Sequence, residues 1–210
     1  VAVGHVSNSI GAINNVRNFV DFASSIGAYS VIDGAQAAPH LKVDVKSLNA
    51  DFYAVSAHKC CAPTGVGVLL GKRDILDRLG PWQGGGDMIE KVSFKGTTFN
   101  ELPWKFEAGT PNIADTIGFA TALRYQDSIG FENALLHEAK VHEHLIEVMR
   151  KKSKVEILGS PDNWVSICSF KLGKCSRTCQ RVMAWNFCPA TSSTFEDSRI
   201  PFCSASFLAL

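Results

Sequence analysis

Short apolar runs and one helical stretch alternate over residues 1–71, and this alternation limits the chain to few kinds of fold. Residues 1–6, 29–32, 52–55 and 66–70 are too short to be helices and rich in β-branched and aromatic side chains, so each predicts a strand. Between the first two, Asn14-Asn15 offers a cap for a helix whose Val16, Phe19, Val20, Ala23 and Ile26 fall at helical spacing, and Gly27 offers its stop. Strand, helix and strand in that order predict an α/β fold: a mostly parallel sheet covered by helices.

Residues 79–112 are rich in Gly, Pro, Trp and Thr, include Gly84-Gly85-Gly86, and lack a helical period, so they predict a functional loop or an interface arm. Helices over 113–128 and 131–152, then strands over 154–158 and 165–172, lead into a second layer. The expected division is a large-domain portion over 1–122 and a smaller C-terminal α+β domain over 123–210, incomplete or divergent after about residue 174. The chain of 210 residues starts at Val1 inside a strand pattern, so it reads as part of a longer protein.

A formal charge of +1 without a basic stripe gives no expectation of nucleic acid or anionic membrane as partner. No apolar run reaches the roughly 20 residues of a membrane span, so a cytoplasmic place is expected, or an organellar one if a transit peptide precedes Val1. Seven cysteines without an export signal read as reduced thiols. Cys175, Cys179 and Cys188 lack the paired short spacings of a zinc site, and His142 and His144 point to different helix faces, so no metal is expected.

Chemistry concentrates at the ends of two predicted strands. Asp33, Gly34, Ala35 and Gln36 follow one, and Ser56-Ala57-His58-Lys59 follows the other. A lysine amine, a carboxylate and a hydroxyl/imidazole pair are the parts that hold pyridoxal phosphate as a Schiff base. Asp33 would keep a pyridine nitrogen protonated, because an opposite charge favours the protonated form. Gln36 is placed to reach the ring's phenolic oxygen and Ser56 and His58 the phosphate, while Lys59 would also carry the substrate Cα proton. Taken singly, an Asp after a strand is usually a turn residue and a Lys a solvated charge. It is their joint placement that points to the cofactor.

Other features read blandly. Cys60 and Cys61 favour apolar packing over nucleophilic chemistry. Gly65-x-Gly67 and Gly71-Lys72 read as turns bounding a strand, and Arg73 stands where a phosphate loop needs Ser or Thr. Gly84-Gly85-Gly86 reads either as an anion cradle or as a flexible arm. His137, His142 and His144 read as solvated helix residues, while His5 and His40 stay ambiguous.

Val31-Ile32-Asp33-Gly34-Ala35-Gln36, Ser56-Ala57-His58-Lys59 and Phe106-Glu107-Ala108-Gly109-Thr110-Pro111-Asn112 resemble the signature segments of group II (SufS-like) cysteine desulfurases, in the class V aminotransferase family of fold-type I pyridoxal-phosphate enzymes. The likeness runs from Val1 to about Gly159. It implies Lys59 as the cofactor-bearing lysine, Asp33 at the pyridine nitrogen, Gln36 at the phenolic oxygen, and Ser56 and His58 at the phosphate. It also implies Asn8 near the cofactor and substrate carboxylate, and Thr110 reaching the cofactor of a partner subunit in a homodimer. The implied reaction turns L-cysteine into L-alanine and passes sulfur to an enzyme cysteine, then to an acceptor protein for iron-sulfur cluster assembly.

The sulfur-accepting position falls on Cys188, but Trp185-Asn186-Phe187 before it lacks the family's Gly and His, and Ser204 stands where a substrate-binding arginine is expected. Two other readings stay open: a selenocysteine lyase (L-selenocysteine as substrate) or other class V lyase or aminotransferase, and an inactive truncated homologue.

Overall fold

The computed structural model describes residues 1–159 and 163–173, and the backbone of 182–186. Four strands form the main sheet in the order β1 (Ala2–Gly4), β2 (Val31–Asp33), β3 (Phe52–Ser56) and β4 (Gly67–Gly71). β1 on β2 and β2 on β3 are parallel, with Gly4 opposite Asp33 and Asp33 opposite Ala54. β4 returns antiparallel, with Ser56 opposite Gly67. All four predicted strands are present, but the last runs against the others. Its connection, residues 57–66, is shorter than the dozen or so residues a parallel crossover needs.

Helix α1 (Val16–Ser25) buries Val16, Val20 and Ala23, and its first two pack with Ile32, Ala50 and Tyr53 into the main core. Phe19 and Ile26, which the helical spacing assigned to the same face, are exposed instead. Gly27 does end the helix, with φ of +66° that a side chain would oppose. Asn14 caps no helical amide; its side-chain amide donates to the Gly4 carbonyl at 2.8 Å and ties the loop back onto β1.

The sheet is clamped at the end where β2 and β3 begin. One Asp51 oxygen accepts from the backbone N–H and the hydroxyl of Ser30 at 2.8 and 2.9 Å, and the other meets Lys72 Nζ at 2.8 Å. Ser30 precedes β2, Asp51 precedes β3 and Lys72 follows β4, so one carboxylate joins three strands. A short helix α2 (Val45–Leu48), capped by Asp44 accepting from Ser47 N–H at 3.0 Å, lies in the crossover between β2 and β3.

After β4 come α3 (Arg73–Arg78) and an antiparallel hairpin of β5 (Ile89–Ser93) and β6 (Gly96–Phe99). The hairpin corrects the expectation of an irregular segment. Its strands are mostly solvent-facing, so alternation of apolar and polar residues is weak, and Phe94 at its tip is fully exposed. Gly85 lies where an added Cβ would stand 3.0 Å from the Ala108 side chain, and Gly109 N–H donates to Gly86 at 2.9 Å. The triple glycine thus permits close contact with the loop that carries Thr110.

Helices α4 (Ile113–Ile129) and α5 (Phe131–Arg150) follow, close to the expected bounds. Asn112 accepts from Asp115 N–H at the start of α4, and Gly130, with φ of +84°, turns the chain between the two helices. Gly118 brings α4 against Pro63, and Phe119 packs with Ala57 and Cys60 beneath the Lys59 turn. Cys60 is therefore a packing residue, as expected. Strands β7 (Val155–Leu158), β8 (Ile167–Leu172) and β9 (Val182–Asn186) form an antiparallel second sheet. Val165 N–H donates to Gly11 at 2.9 Å, joining this unit to the loop after β1.

Removal of the Asp51 carboxylate leaves a buried hydroxyl, an amide and an ammonium without their partner. Asp51→Ala is expected to lose about 2–3 kcal/mol in urea unfolding; a loss below 0.5 kcal/mol would show that the clamp carries no stability. Gly34 lies where an added Cβ would be 2.0 Å from the Tyr53 ring, which is 1% exposed. Gly34→Ala is expected to cost about 1–3 kcal/mol by overpacking, measured by the same unfolding curve.

Candidate active site

The carboxyl ends of β2 and β3 lie side by side because the two strands are parallel and in register. Ligands of open α/β sheets settle outside such ends. Asp33 is the last residue of β2, and its Oδ1 accepts from Ala35 N–H at 2.9 Å. The turn role leaves room for a second one: one oxygen closes the turn, and the other oxygen of the exposed carboxylate stays open at the strand end. β3 ends at Ser56, and a single 3-10 turn (Ala57–Cys60) carries His58 and Lys59. Ala57 and Cys60 bury themselves beneath, which leaves His58 exposed and Lys59 half-buried on the upper side. Ser56 Oγ and His58 Nδ1 are hydrogen-bonded at 2.9 Å. Asp33, Ser56, His58 and Lys59 are thus brought to one edge of the sheet, as the sequence predicts.

Beneath Asp33 sits a pair that the sequence reading left unresolved. His5, just past β1, meets the Tyr53 hydroxyl through Nδ1 at 2.9 Å, with the rings edge to face. Burial, and then the negative charge of Asp33, push the Tyr53 hydroxyl far above its ordinary range, so it keeps its proton. Burial pushes His5 the other way, below the usual histidine value.

Gln36 is buried in the tight turn after β2, and its Nε2 lies 3.0 Å from Nε2 of His40. His40 Nδ1 lies 2.6 Å from Glu138 Oε1 on α5. The two atoms stand at ion-pair distance, and neither has a hydrogen-bond partner among the described residues. His40 and Glu138 escaped the sequence reading as site residues. The available signal was that Glu138, His142 and Ile146 are spaced by four and form the buried stripe of α5, where a carboxylate and an imidazole are out of place. His142 is buried, which corrects its reading as a solvated residue; His137 and His144 are exposed. Burial pushes His142 downward, opposed by the charge of Glu138 and a backbone bond at Ile167. A cavity of about 630 Å3 borders this stripe, lined also by Trp164 and Arg150.

Asn8 lies exposed in the loop after β1, and Thr110 lies exposed in the loop before α4. Cys188 and Ser204 lie outside the described residues, as do Cys175 and Cys179.

Residues 1–182 match the family described as "Aminotransferase class-V". The chain belongs to the class-V aminotransferase family, and its fold is the mixed α/β arrangement of fold-type I pyridoxal-phosphate enzymes. Within that family it is 47% identical over 173 residues to a cysteine desulfurase of Haloferax volcanii, covering 82% of this chain and 41% of that protein. It is 46% identical to a probable cysteine desulfurase of Staphylococcus aureus strain N315, covering 82% of this chain and 42% of that one. Among solved structures, a cysteine desulfurase from Escherichia coli matches with a TM-score of 0.78 at 36% identity, over 83% of this chain and 43% of that one. An apo cysteine desulfurase from Thermococcus onnurineus NA1 matches equally well, with a TM-score of 0.78 at 39% identity, over 83% of this chain and 44% of that one. The chain thus spans less than half the length of these relatives.

The two lowered histidines set a pH dependence. The unfolded chain binds their protons near the ordinary value of 6.5, whereas the folded chain binds them only at lower pH. The folded state therefore loses stability as pH falls below about 6.5, and the loss levels off below the folded values. Urea midpoints measured from pH 7 to pH 5 should fall, and His142→Phe should flatten part of that fall. A midpoint constant over this window would refute the assignment.

Proposed function

We propose that the whole protein is a pyridoxal-phosphate-dependent cysteine desulfurase. The observation that carries this reading is the placement of Lys59 and Asp33 at the carboxyl ends of adjacent parallel strands, in a chain whose relatives bear that activity. The donor set fits the cofactor: an amine for its aldehyde, a carboxylate for its ring nitrogen, and the bonded Ser56/His58 pair at an exposed edge for its phosphate. When bound, pyridoxal phosphate supplies an electron sink for charge that develops at the substrate Cα.

Around it, Asp33 holds a proton at the pyridine nitrogen through its open oxygen. Gln36 donates to the phenolic oxygen, and Asn8 approaches the substrate carboxylate. Lys59 moves the proton at Cα. The Cys188 thiolate would take the sulfur of L-cysteine as a persulfide, the Cβ–S bond breaking with its electron pair left on carbon, which gains a proton to become the methyl group of L-alanine. Thr110 reaches the phosphate site of a second protomer in a homodimer, for which its exposed loop beside the glycine run is suited. The large-domain portion over 1–122 supplies the cofactor residues and the smaller domain from 123 supplies Cys188. The sulfur passes to an acceptor protein for iron-sulfur cluster assembly in the cytoplasm; no described helix is long and apolar enough to cross a membrane.

Full-length protein should bind pyridoxal phosphate with a visible absorption band that Lys59→Ala abolishes. Alanine release from cysteine should fall about 10²–10⁴-fold or more in that variant, the usual contribution of a positioned acid-base group. A band and turnover that persist without the lysine would sink the reading. Turnover unchanged by Cys188→Ser would remove that cysteine, and faster turnover of selenocysteine than cysteine would move the enzyme to the lyase class.

A further inference from the structure

Gln36, His40 and Glu138 form a buried polar chain from the turn after β2 to the middle of α5, exposed by only 5%, 5% and 3%. Their contacts, 3.0 Å and then 2.6 Å, run outward from the candidate site into a helix that has no part in it. We propose that Glu138 is a positioning residue: through His40 it fixes which end of the Gln36 amide faces the bound cofactor. This rests on the cofactor reading given above.

Donors and acceptors along this chain can be paired in one consistent way. A carboxylate accepts, so when the His40 ring holds a single proton, the nitrogen beside Glu138, Nδ1, is the one that carries it. Nε2 of His40 then keeps its lone pair and accepts, and the group facing it is the Gln36 amide nitrogen. One N–H of that nitrogen is spent on His40. The second N–H remains for the ring oxygen of the cofactor. If the proton of His40 moved to Nε2, the Gln36 amide would have to turn over to present its oxygen to the new N–H. A lone pair of the same oxygen would then oppose the ring oxygen, which carries negative charge. The Glu138 carboxylate prevents this by holding the proton on the far nitrogen, as partners of the second imidazole nitrogen fix tautomers elsewhere.

The placement on α5 supports this role. Glu138 sits on the buried stripe one turn before His142 and two before Ile146, where an apolar residue would pack without desolvating a charge. Its charge also acts on His142, so that neighbour provides the control for a purely local packing effect.

The test uses full-length holoenzyme and follows the visible band of the bound cofactor as a function of pH. An N–H at the ring oxygen favours the high-pH form, in which that oxygen is most negative. Gln36→Ala should therefore raise the titration midpoint by about one pH unit, the worth of one hydrogen bond to a charged oxygen. Glu138→Leu should raise it as much, and the double variant no further. Glu138→Gln keeps an oxygen acceptor for His40 and should return the midpoint to within a few tenths of a unit of the unaltered protein. His142→Phe, buried on the same stripe, should leave it unchanged. If Glu138→Leu does not fold, His40→Ala breaks the chain from the other side and carries the same expectation. A midpoint unmoved by Glu138→Leu or His40→Ala would overturn the proposal while the cofactor reading stands, as would an equal shift in His142→Phe. Absence of any band in the unaltered protein would sink both together.

Discussion

The register of β2 on β3 is the constraint from which the rest of the site follows. Parallel pairing with Asp33 opposite Ala54 brings both strands to an end at the same edge, so a carboxylate and a lysine-bearing turn emerge side by side without a long loop to place either. That register is set from below and above. Asp51 ties the starting ends of the strands through Ser30 and Lys72, and Tyr53 presses its ring on Gly34 where the chain leaves β2. A side chain at residue 34 would have to displace a ring that the core encloses. The glycine is required by proximity alone, since its φ is not in the left-handed region.

The second tie is polar and long in sequence. Glu138 reaches His40 across 98 residues and joins α5 to the turn that presents Gln36, while Gly11 and Val165 join the second sheet to the loop that presents Asn8. Both of these ties lie close in sequence to expected cofactor residues. The second layer thus leans on the turn after β2 and on the loop after β1.

Much of this was legible in the sequence, and the reasons differ by element. The strands of the main sheet are short apolar runs between turn residues, a pattern that survives without any partner. Helix α4 ends at Gly130, whose left-handed φ suits a helix stop, and α5 buries residues spaced by four. The placement of Asp33, Ser56, His58 and Lys59 at neighbouring strand ends was legible because each directly follows or ends a short apolar run. The hairpin of β5 and β6 was missed because its strands lean on each other with both faces largely in water, so burial never imposed a period of two. The direction of β4 is carried by a loop length, not by side chains. His142 and Glu138 were misread or passed over because polar side chains on a helix are ordinarily solvated, and only the packing of α5 over His40 shows these two to be interior.

The three-strand clamp at Asp51 lies at the opposite end of the sheet from Lys59, with the length of β3 between them. Anchorage and reactivity are thereby assigned to separate residues. A substitution at the Lys59 end therefore leaves the Asp51 clamp in place, and the sheet can assemble independently of what the other end carries.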